Sequence, residues 1–141
     1  MKSMIIKSEI DKFGNLTSRV NAVNVLSRNE WEFRISTIII TPRHKDMVEK
    51  VFEVGCSMNT SECYDYDQKS FMDKNTPVCL VLVNAKKNKK EKIDFSQSSC
   101  PWLKVENVKD IIEISFTEPG TNVILSKGSL SAVIHLWIRR K

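Results

Sequence analysis

The chain has 141 residues, which is enough for one domain with a sizeable hydrophobic core. Its 14 Ile and 13 Val exceed its 8 Leu and 3 Ala, and this favours strands because β-branched side chains lose rotamer freedom in helices. The formal net charge is +5, and no apolar run reaches the ~18–20 residues of a membrane-spanning helix. Composition therefore excludes a largely disordered chain and a helical membrane span, and predicts a single all-β domain over residues 1–141.

The first third of the chain predicts three strands joined by tight turns. Met4–Ile10 alternates apolar and polar residues, and the glycine-containing link Asp11–Asn15 that follows is typical of a hairpin. Alternation resumes over residues 16–26, with a reset near the middle that suggests a bulge, and Arg28–Glu30 is predicted to form the next turn. Trp31–Ile40 alternates and then ends in three isoleucines, as expected of a strand that enters the interior.

The middle of the chain predicts a helical turn, two strands and a long irregular segment. Pro42 ends the third strand, and Arg43–Lys50 is predicted as one short helical turn before a strand at Val51–Val54. Residues 55–76 are polar and lack clear periodicity, so they are predicted to form a long loop of the kind that often carries function. Pro77–Asn84 is apolar on both faces, which predicts a strand covered on both sides at the centre of a sandwich.

The last part of the chain predicts further short strands separated by turns. A lysine-rich link over residues 86–92 is predicted as a basic hairpin tip. With no long helix and about eight strands in all, the pattern predicts an antiparallel β-sandwich that is jelly-roll-like. The later predicted strands are Ile93–Phe95, Leu103–Val108, Ile112–Phe116, Val123–Leu125 and Leu130–Ile138.

The cysteines do not form a recognisable metal site. Cys56, Cys63, Cys79 and Cys100 include no CxxC pair, so we expect no bound metal. The four glycines are too dispersed for a phosphate-binding loop, and we expect no cofactor. The opening residues do not form the apolar stretch of a signal peptide, so secretion is not supported. We therefore expect reduced thiols, with Cys79 in a core strand and the others in or near loops.

An acidic cluster within the predicted long loop is a candidate contact site. A D-x-D spacing can supply two oxygen ligands to a hard cation, but the glycine and glutamate of an EF-hand do not follow. The plainer interpretation is a solvated loop whose tyrosines pack down. The alternative is a contact with a partner or a glycan, since tyrosine offers a large contact area at a low entropy cost. The candidate contact residues are Tyr64, Asp65, Tyr66 and Asp67.

Five lysines form a candidate anion-binding site. A tip with this charge would attract phosphates, anionic glycans or an acidic partner through a salt-sensitive field, although a solvated turn is the plainer interpretation. Aromatic residues that could stack on bases are not interleaved with the lysines, which disfavours single-stranded nucleic acid. These residues are Lys86, Lys87, Lys89, Lys90 and Lys92.

The sequence contains no catalytic pattern that we recognise. His135 lies in the final strand and by alternation shares a face with Val133 and Trp137, and no nucleophile elbow accompanies it. We therefore expect that the protein is not an enzyme. The alternative, catalysis by scattered carboxylates or by His135, would require a concave pocket that contains two or more titratable groups.

The C-terminal third has a distinctive order of features. The alternating strand Ile112–Phe116 precedes an acidic-x-Gly turn at Glu118–Gly120 and a second strand at Val123–Leu125. A glycine turn at Gly128 then precedes a leucine–histidine strand with a basic end, Leu130–Arg140. This order resembles the closing segment of β-rich structural proteins of Polinton/Maverick elements and adintovirus-like DNA viruses of invertebrates. The resemblance covers residues 112–140.

The resemblance implies a structural protein of a virion, or one derived from a virus: a capsid, penton or spike component. Such a protein would be located in a virion or in the host cell interior. Its partners would be copies of itself, as a trimer or pentamer, or other virion proteins. The alternative function is a binding module for an anionic polymer, either nucleic acid or sulfated glycan. In the assembly interpretation, the anchors in the core or at interfaces are Trp31, Trp102, His135 and Trp137.

Overall fold

A computed structural model describes residues 2–19, 30–107, 110–121 and 123–141. In this part of the chain we find nine strands and one short 3₁₀ turn, at Lys45–Met47, where the sequence predicts a helical turn. The strands are β1 (Lys2–Glu9), β2 (Asn15–Arg19), β3 (Trp31–Pro42), β4 (Val51–Asp65), β5 (Ser70–Leu82), β6 (Glu91–Asp94), β7 (Leu103–Lys104), β8 (Ile111–Thr117) and β9 (Leu130–Arg140).

The strands form two antiparallel sheets. The first has the order β1-β9-β3-β6, with β7 also paired to β3, and the second has the order β2-β8-β4-β5. The strands form four pairs that are nested along the chain and alternate between the two sheets. From the innermost to the outermost, these pairs are β4–β5, β3–β6, β2–β8 and β1–β9. This is the arrangement of one long hairpin folded over into two layers. This is the strand order of a jelly roll. The predicted all-β, jelly-roll-like sandwich is confirmed, with nine strands where about eight are predicted.

The core lies between the inward faces of the two sheets. In β9 every second residue from Leu130 to Ile138 is buried, and β8 buries Ile112, Ile114 and Phe116 in the same alternating way. Phe52 of β4 packs edge to face against Phe116, with ring centroids 6.1 Å apart. Each of these strands has one buried and one exposed face, so apolar and polar residues alternate along it. This alternation is why β8 and β9 are the strands most easily predicted from the sequence.

The prediction of a long loop over residues 55–76 is wrong. These residues belong to β4 and β5, which pair in register from Thr60 opposite Asn75 to Asp65 opposite Ser70. A four-residue turn closes the hairpin, where Asp65 Oδ1 accepts hydrogen bonds from the backbone N–H groups of Asp67 and Gln68. Both faces of this outer part are largely exposed, so backbone pairing holds the strands together while the side chains show no apolar alternation.

Two further predictions about this region are wrong. The apolar run at Pro77–Asn84 is not a central strand, since β5 is the edge of its sheet and exposes Leu80 and Leu82. The lysine-rich link is not a hairpin tip either, because the strands on its two sides, β5 and β6, lie in different sheets. It is a crossover between the sheets, and Lys92 already belongs to β6.

One predicted strand is missing from the part that the structure describes, and two of the cysteines lie in different elements from those predicted. The predicted strand at Val123–Leu125 is wrong: in the described residues between β8 and β9, the chain makes an irregular connection from one sheet to the other. The Cys79 side chain is in the core as predicted, although its strand, β5, is an edge strand, and Cys56 and Cys63 lie in β4 and not in loops. The predicted bulge after residue 20 and most of the turn at Arg28–Glu30 lie outside the described residues.

Gly55 marks the point where β4 loses its register with β5. Pairing shifts between Gly55 and Thr60, so that four residues of β4 oppose one residue of β5. A Cβ at Gly55 would lie 2.7 Å from Asn75 Cβ and 2.9 Å from Ser115 Oγ. The two flanking strands therefore approach the backbone more closely than any side chain allows.

We expect Gly55→Ala to destabilise the fold by roughly 1–3 kcal/mol, because the neighbouring strands must separate to admit the methyl group. Chemical denaturation of the variant and the parent protein gives the difference in the free energy of unfolding. Ser61→Ala, at an exposed position six residues along β4, is the control for a small side-chain change on the same strand. Equal stability of the Gly55 variant and the parent would show that this contact is not tight.

Candidate functional site

The outer part of the β4–β5 hairpin extends beyond the rest of its sheet. Strand β8 pairs with β4 only from Glu53 to Cys56, whereas β4 and β5 remain paired with each other out to Asp65 and Ser70. We call the two-stranded segment from Thr60 to Asn75 the arm. It brings the predicted contact residues to the far end of the hairpin: Tyr64 and Asp65 end β4, and Tyr66 and Asp67 begin the turn.

One face of the arm combines aromatic rings with carboxylates. Tyr64 lies opposite Phe71 in the ladder, with ring centroids 5.1 Å apart, and Tyr66 packs against Tyr64 at 5.0 Å. All three rings are exposed, Phe71 by 67% and Tyr66 by 84%. Two residues further from the turn, Glu62 lies directly opposite Asp73 on the same face. Like charges in this position repel each other, so the arm presents an acidic and aromatic surface at some cost to its own stability.

The predicted acidic cluster is therefore only partly available for contacts. Asp65 is engaged in the turn through its hydrogen bonds to the backbone of Asp67 and Gln68. Sequence reasoning missed Glu62, Phe71 and Asp73 as members of the same surface. A polar turn flanked by two segments of equal length was the signal that could have located the hairpin. Without apolar alternation, that signal is weak.

The candidate anion-binding lysines lie in a tethered crossover. All five are exposed: Lys86, Lys87, Lys89, Lys90 and Lys92. We call residues 84–92 the lysine loop. The backbone N–H of Asn88 donates to the carbonyl of Pro42 at 2.7 Å, and Arg43 donates to Asn88 Oδ1 at 3.2 Å.

The acidic residue of the lysine loop holds the loop in place. Glu91 Oε1 accepts the N–H groups of Asn84 and Ala85, at 2.9 and 3.2 Å. In the described part of the chain Glu91 forms no ion pair with these lysines, and one glutamate against five lysines leaves the loop with a net charge of +4. The loop therefore presents concentrated positive charge from an ordered backbone.

The arm and the lysine loop lie at opposite ends of β5. The strand has 13 residues, which at a rise of ~3.3 Å per residue separates its ends by about 40 Å. The arm's acidic face and the loop's lysines therefore cannot meet within one molecule.

The edge of the second sheet also exposes apolar side chains near the lysine loop. Val51 and Leu82 are partners in the ladder, and Leu80 follows on the same face. These residues are exposed by 41%, 47% and 61%, respectively. Sequence reasoning placed this strand at the centre of the sandwich because its outward residues are apolar, so this exposed edge was not expected.

Two of the four candidate anchors lie at the end of the first sheet where β9 finishes. Trp31 is 6% exposed, and the side chains of Lys2 and Arg140 lie 5.4 and 5.6 Å from the centre of its ring. Arg139 stacks over Trp102 at 4.0 Å. These cation–π contacts hold the basic end of β9 against the molecule itself. A role of either tryptophan at an interface stays a prediction.

The other two anchors lie on the outer face of the first sheet. His135 and Trp137 alternate with buried residues of β9, and Trp137 is 38% exposed. Ile5, the partner of His135 on β1, is 57% exposed. The structure does not bring this pair together with the arm or with the lysine loop, and its predicted interface role stays a prediction.

A buried arginine of β3 holds the segment between β6 and β7, and a thiol of that segment lies against a thiol of β5 in the other sheet. Arg34 is 8% exposed, and it donates to the carbonyls of Cys100 at 3.0 Å and Phe95 at 2.6 Å. Cys100 lies against Cys79 of β5. The neighbouring Cys100 thiol and burial raise the pKa of Cys79, whereas interaction with Cys79 and with the nearby Arg34 lowers the pKa of Cys100. Cys56 is also buried, which raises its pKa to about 12.

We expect a thiol reagent at neutral pH to modify one of the four free cysteines quickly in the native protein. That cysteine is Cys63, which is half-buried on the arm, whereas Cys56, Cys79 and Cys100 are buried. Counting modified thiols before and after adding denaturant measures this, and Cys63→Ser should remove the fast reaction. Fast modification of two or more thiols would contradict the buried positions of the others.

A surface groove of about 530 Å³ lies next to the thiol pair. Its lining is mainly apolar and contains one acidic residue, Glu53. Across the residues with assigned positions, no three His, Cys, Asp or Glu side chains cluster so as to hold a metal ion. Over the same residues, no helix has the length and apolar character needed to cross a membrane.

Comparison with known proteins gives one structural likeness. The chain is similar to the cryo-EM structure of the giant freshwater prawn Macrobrachium rosenbergii extra small virus (XSV) VLP. The sequence identity is 10%, the match covers 97% of this chain and 76% of that chain, and the TM-score is 0.36. No family model and no curated protein matches the sequence. Since a TM-score this low does not establish a shared fold, the jelly-roll assignment depends on the strand order.

Proposed function

We propose that the protein is a non-enzymatic structural subunit that assembles with copies of itself through its surface, as a component of a viral or virus-derived shell. The observation that carries this proposal is the exposed apolar surface of the β4–β5 hairpin. The rings of Tyr64, Tyr66 and Phe71 at one end and Leu80 and Leu82 at the other are costly to leave in water. Contact between copies would bury them.

Two other features support the viral part of the proposal. The jelly roll is a fold used by viral capsid domains, although lectins and cupins also use it. Residues 112–140 resemble the closing segment of structural proteins of Polinton/Maverick elements and adintovirus-like viruses. The finer proposal is a capsid, penton or spike component that forms trimers or pentamers.

Size-exclusion chromatography with light scattering tests assembly. We expect a closed oligomer with a mass that is a multiple of 16.2 kDa, three- or five-fold for the finer proposal. Leu80→Ser should shift the protein towards monomer without changing its circular dichroism. A parent protein that remains monomeric up to millimolar concentration would contradict the proposal.

The second candidate function is binding of an anionic polymer through the lysine loop, favoured by its exposed lysines on a tethered backbone. Fluorescence anisotropy with labelled heparin and with single-stranded DNA tests it across a salt series. Replacing Lys87 and Lys89 by Gln should then weaken binding and lower its dependence on salt. Unchanged binding by this variant would exclude the lysine loop as the polymer site.

A further inference from the structure

We propose that the acidic, aromatic face of the arm of one copy binds the lysine loop of the next copy. This inference rests on the proposed self-assembly and names the two surfaces that would make its contact. Each surface contains what the other lacks. The arm has the opposed carboxylates of Glu62 and Asp73 beside three exposed rings, and the lysine loop has five exposed lysine side chains.

Charge complementarity favours a second copy as the occupant of each surface. Between Thr60 and Asn75 the arm has four acidic residues and two lysines, whereas residues 84–92 contain five lysines and one glutamate. That glutamate, Glu91, is already engaged by backbone N–H groups. Lysine side chains placed between Glu62 and Asp73 would also relieve the repulsion between these two carboxylates.

The aromatic rings fit the same partner. An ammonium group is attracted to the face of an aromatic ring as well as to a carboxylate. The arm presents both within two residues along each strand, since Tyr64 and Phe71 follow the acidic pair in the ladder. The ammonium group of a lysine from the next copy would therefore contact a carboxylate of the arm, while the methylene groups of the same side chain pack on a ring.

The positions of the two surfaces determine the kind of assembly. They lie at opposite ends of β5, about 40 Å apart at ~3.3 Å per residue, so the contact joins different patches of two molecules. Such a head-to-tail interface builds a ring when the rotation closes and an open filament when it does not. Both surfaces are fixed to an ordered backbone, which lowers the entropy cost of the contact.

Charge reversal at two positions on each surface tests the inference. The arm variant is Glu62→Lys with Asp73→Lys, which keeps a like-charge pair in the ladder, so its effect on folding should be small. The loop variant is Lys87→Glu with Lys89→Glu. We expect each variant alone to assemble at least about tenfold more weakly than the parent protein in light scattering and sedimentation. Circular dichroism and thermal unfolding check that both remain folded.

Mixing the two variants gives the sharper result. The intact arm of the loop variant can bind the intact lysine loop of the arm variant, so we expect the mixture to form one-to-one complexes more tightly than either variant assembles alone. A single chain with all four substitutions keeps the parent's net charge but should not regain assembly, because its loop then has three lysines and three glutamates and its arm has a net charge of +2. The matched control is Lys7→Glu with Lys104→Glu, which has the loop variant's net charge and reverses exposed lysines outside the lysine loop. Because this control keeps both surfaces, it should assemble as the parent protein does.

The outcomes separate this inference from the proposed function. A parent protein that stays monomeric contradicts the proposed self-assembly and this contact with it. A parent protein that assembles, with arm and loop variants that assemble equally well, leaves self-assembly standing and overturns the contact. If the loop variant assembles normally but no longer binds heparin, the lysine loop is a polyanion site and the inference is wrong.

Discussion

Phe52→Ala is expected to destabilise the fold by about 3–5 kcal/mol, because removing a fully buried ring loses its transfer free energy and leaves a cavity. Phe52 lies between the sheets and packs edge to face on Phe116. A loss of this size is a large part of the ~5–15 kcal/mol by which most proteins are stable. Urea unfolding followed by tryptophan fluorescence measures it.

Phe71→Ala is the matched control for this variant. The same side chain is removed, but from the exposed face of the arm, so we expect a loss of at most about 1 kcal/mol in the free energy of unfolding. The proposed function adds a contrasting expectation: Phe71→Ala should weaken assembly. Equal losses of stability in the two variants would contradict the assignment of Phe52 to the core and of Phe71 to the surface.

Arg34→Met is the second substitution with a large expected effect, a loss of about 3 kcal/mol. The variant keeps most of the side chain's volume but removes two charge-assisted hydrogen bonds, and the carbonyls of Phe95 and Cys100 lose their donor. At ~2–4 °C per kcal/mol, the melting temperature should fall by roughly 10 °C. Differential scanning calorimetry measures the change.

Two control substitutions separate the geometry of Arg34 from its charge. Arg34→Lys keeps the charge without the planar fork that reaches both carbonyls, so it should recover only part of the lost stability. Arg43→Met removes a guanidinium on the surface that donates to Asn88, and should cost less than about 1 kcal/mol. A melting temperature of Arg34→Met close to that of the parent would show that water or other groups satisfy the two carbonyls.

The strands that form the walls of the core could be predicted because each has one buried and one exposed face. Strand β9 shows this most clearly: its buried residues alternate from Leu130 to Ile138, and the predicted shared face of Val133, His135 and Trp137 follows from the same period. The fold class also follows from the sequence, because the excess of β-branched residues and the absence of long helical patterns leave a β-sandwich as the main solution.

The arm could not be predicted from its own residues. Glu62, Tyr64, Phe71 and Asp73 form one surface only because β4 and β5 pair in a specific register, and the turn that sets this register depends on hydrogen bonds accepted by Asp65. Where both faces of a hairpin meet water, burial imposes no pattern on the side chains, and polarity alone is compatible with a loop.

Composition and periodicity were sufficient for the double-layered β architecture, since they record which side chains avoid water. They could not predict that β5 is an edge strand. An apolar side chain that is exposed in one molecule gives the same sequence pattern as an apolar side chain that is buried within it. The strand order decided this point. Chain packing likewise placed the lysine loop at the opposite end of β5 from the arm, because distance between sites arises from how strands pair across the sheets and not from their local sequence.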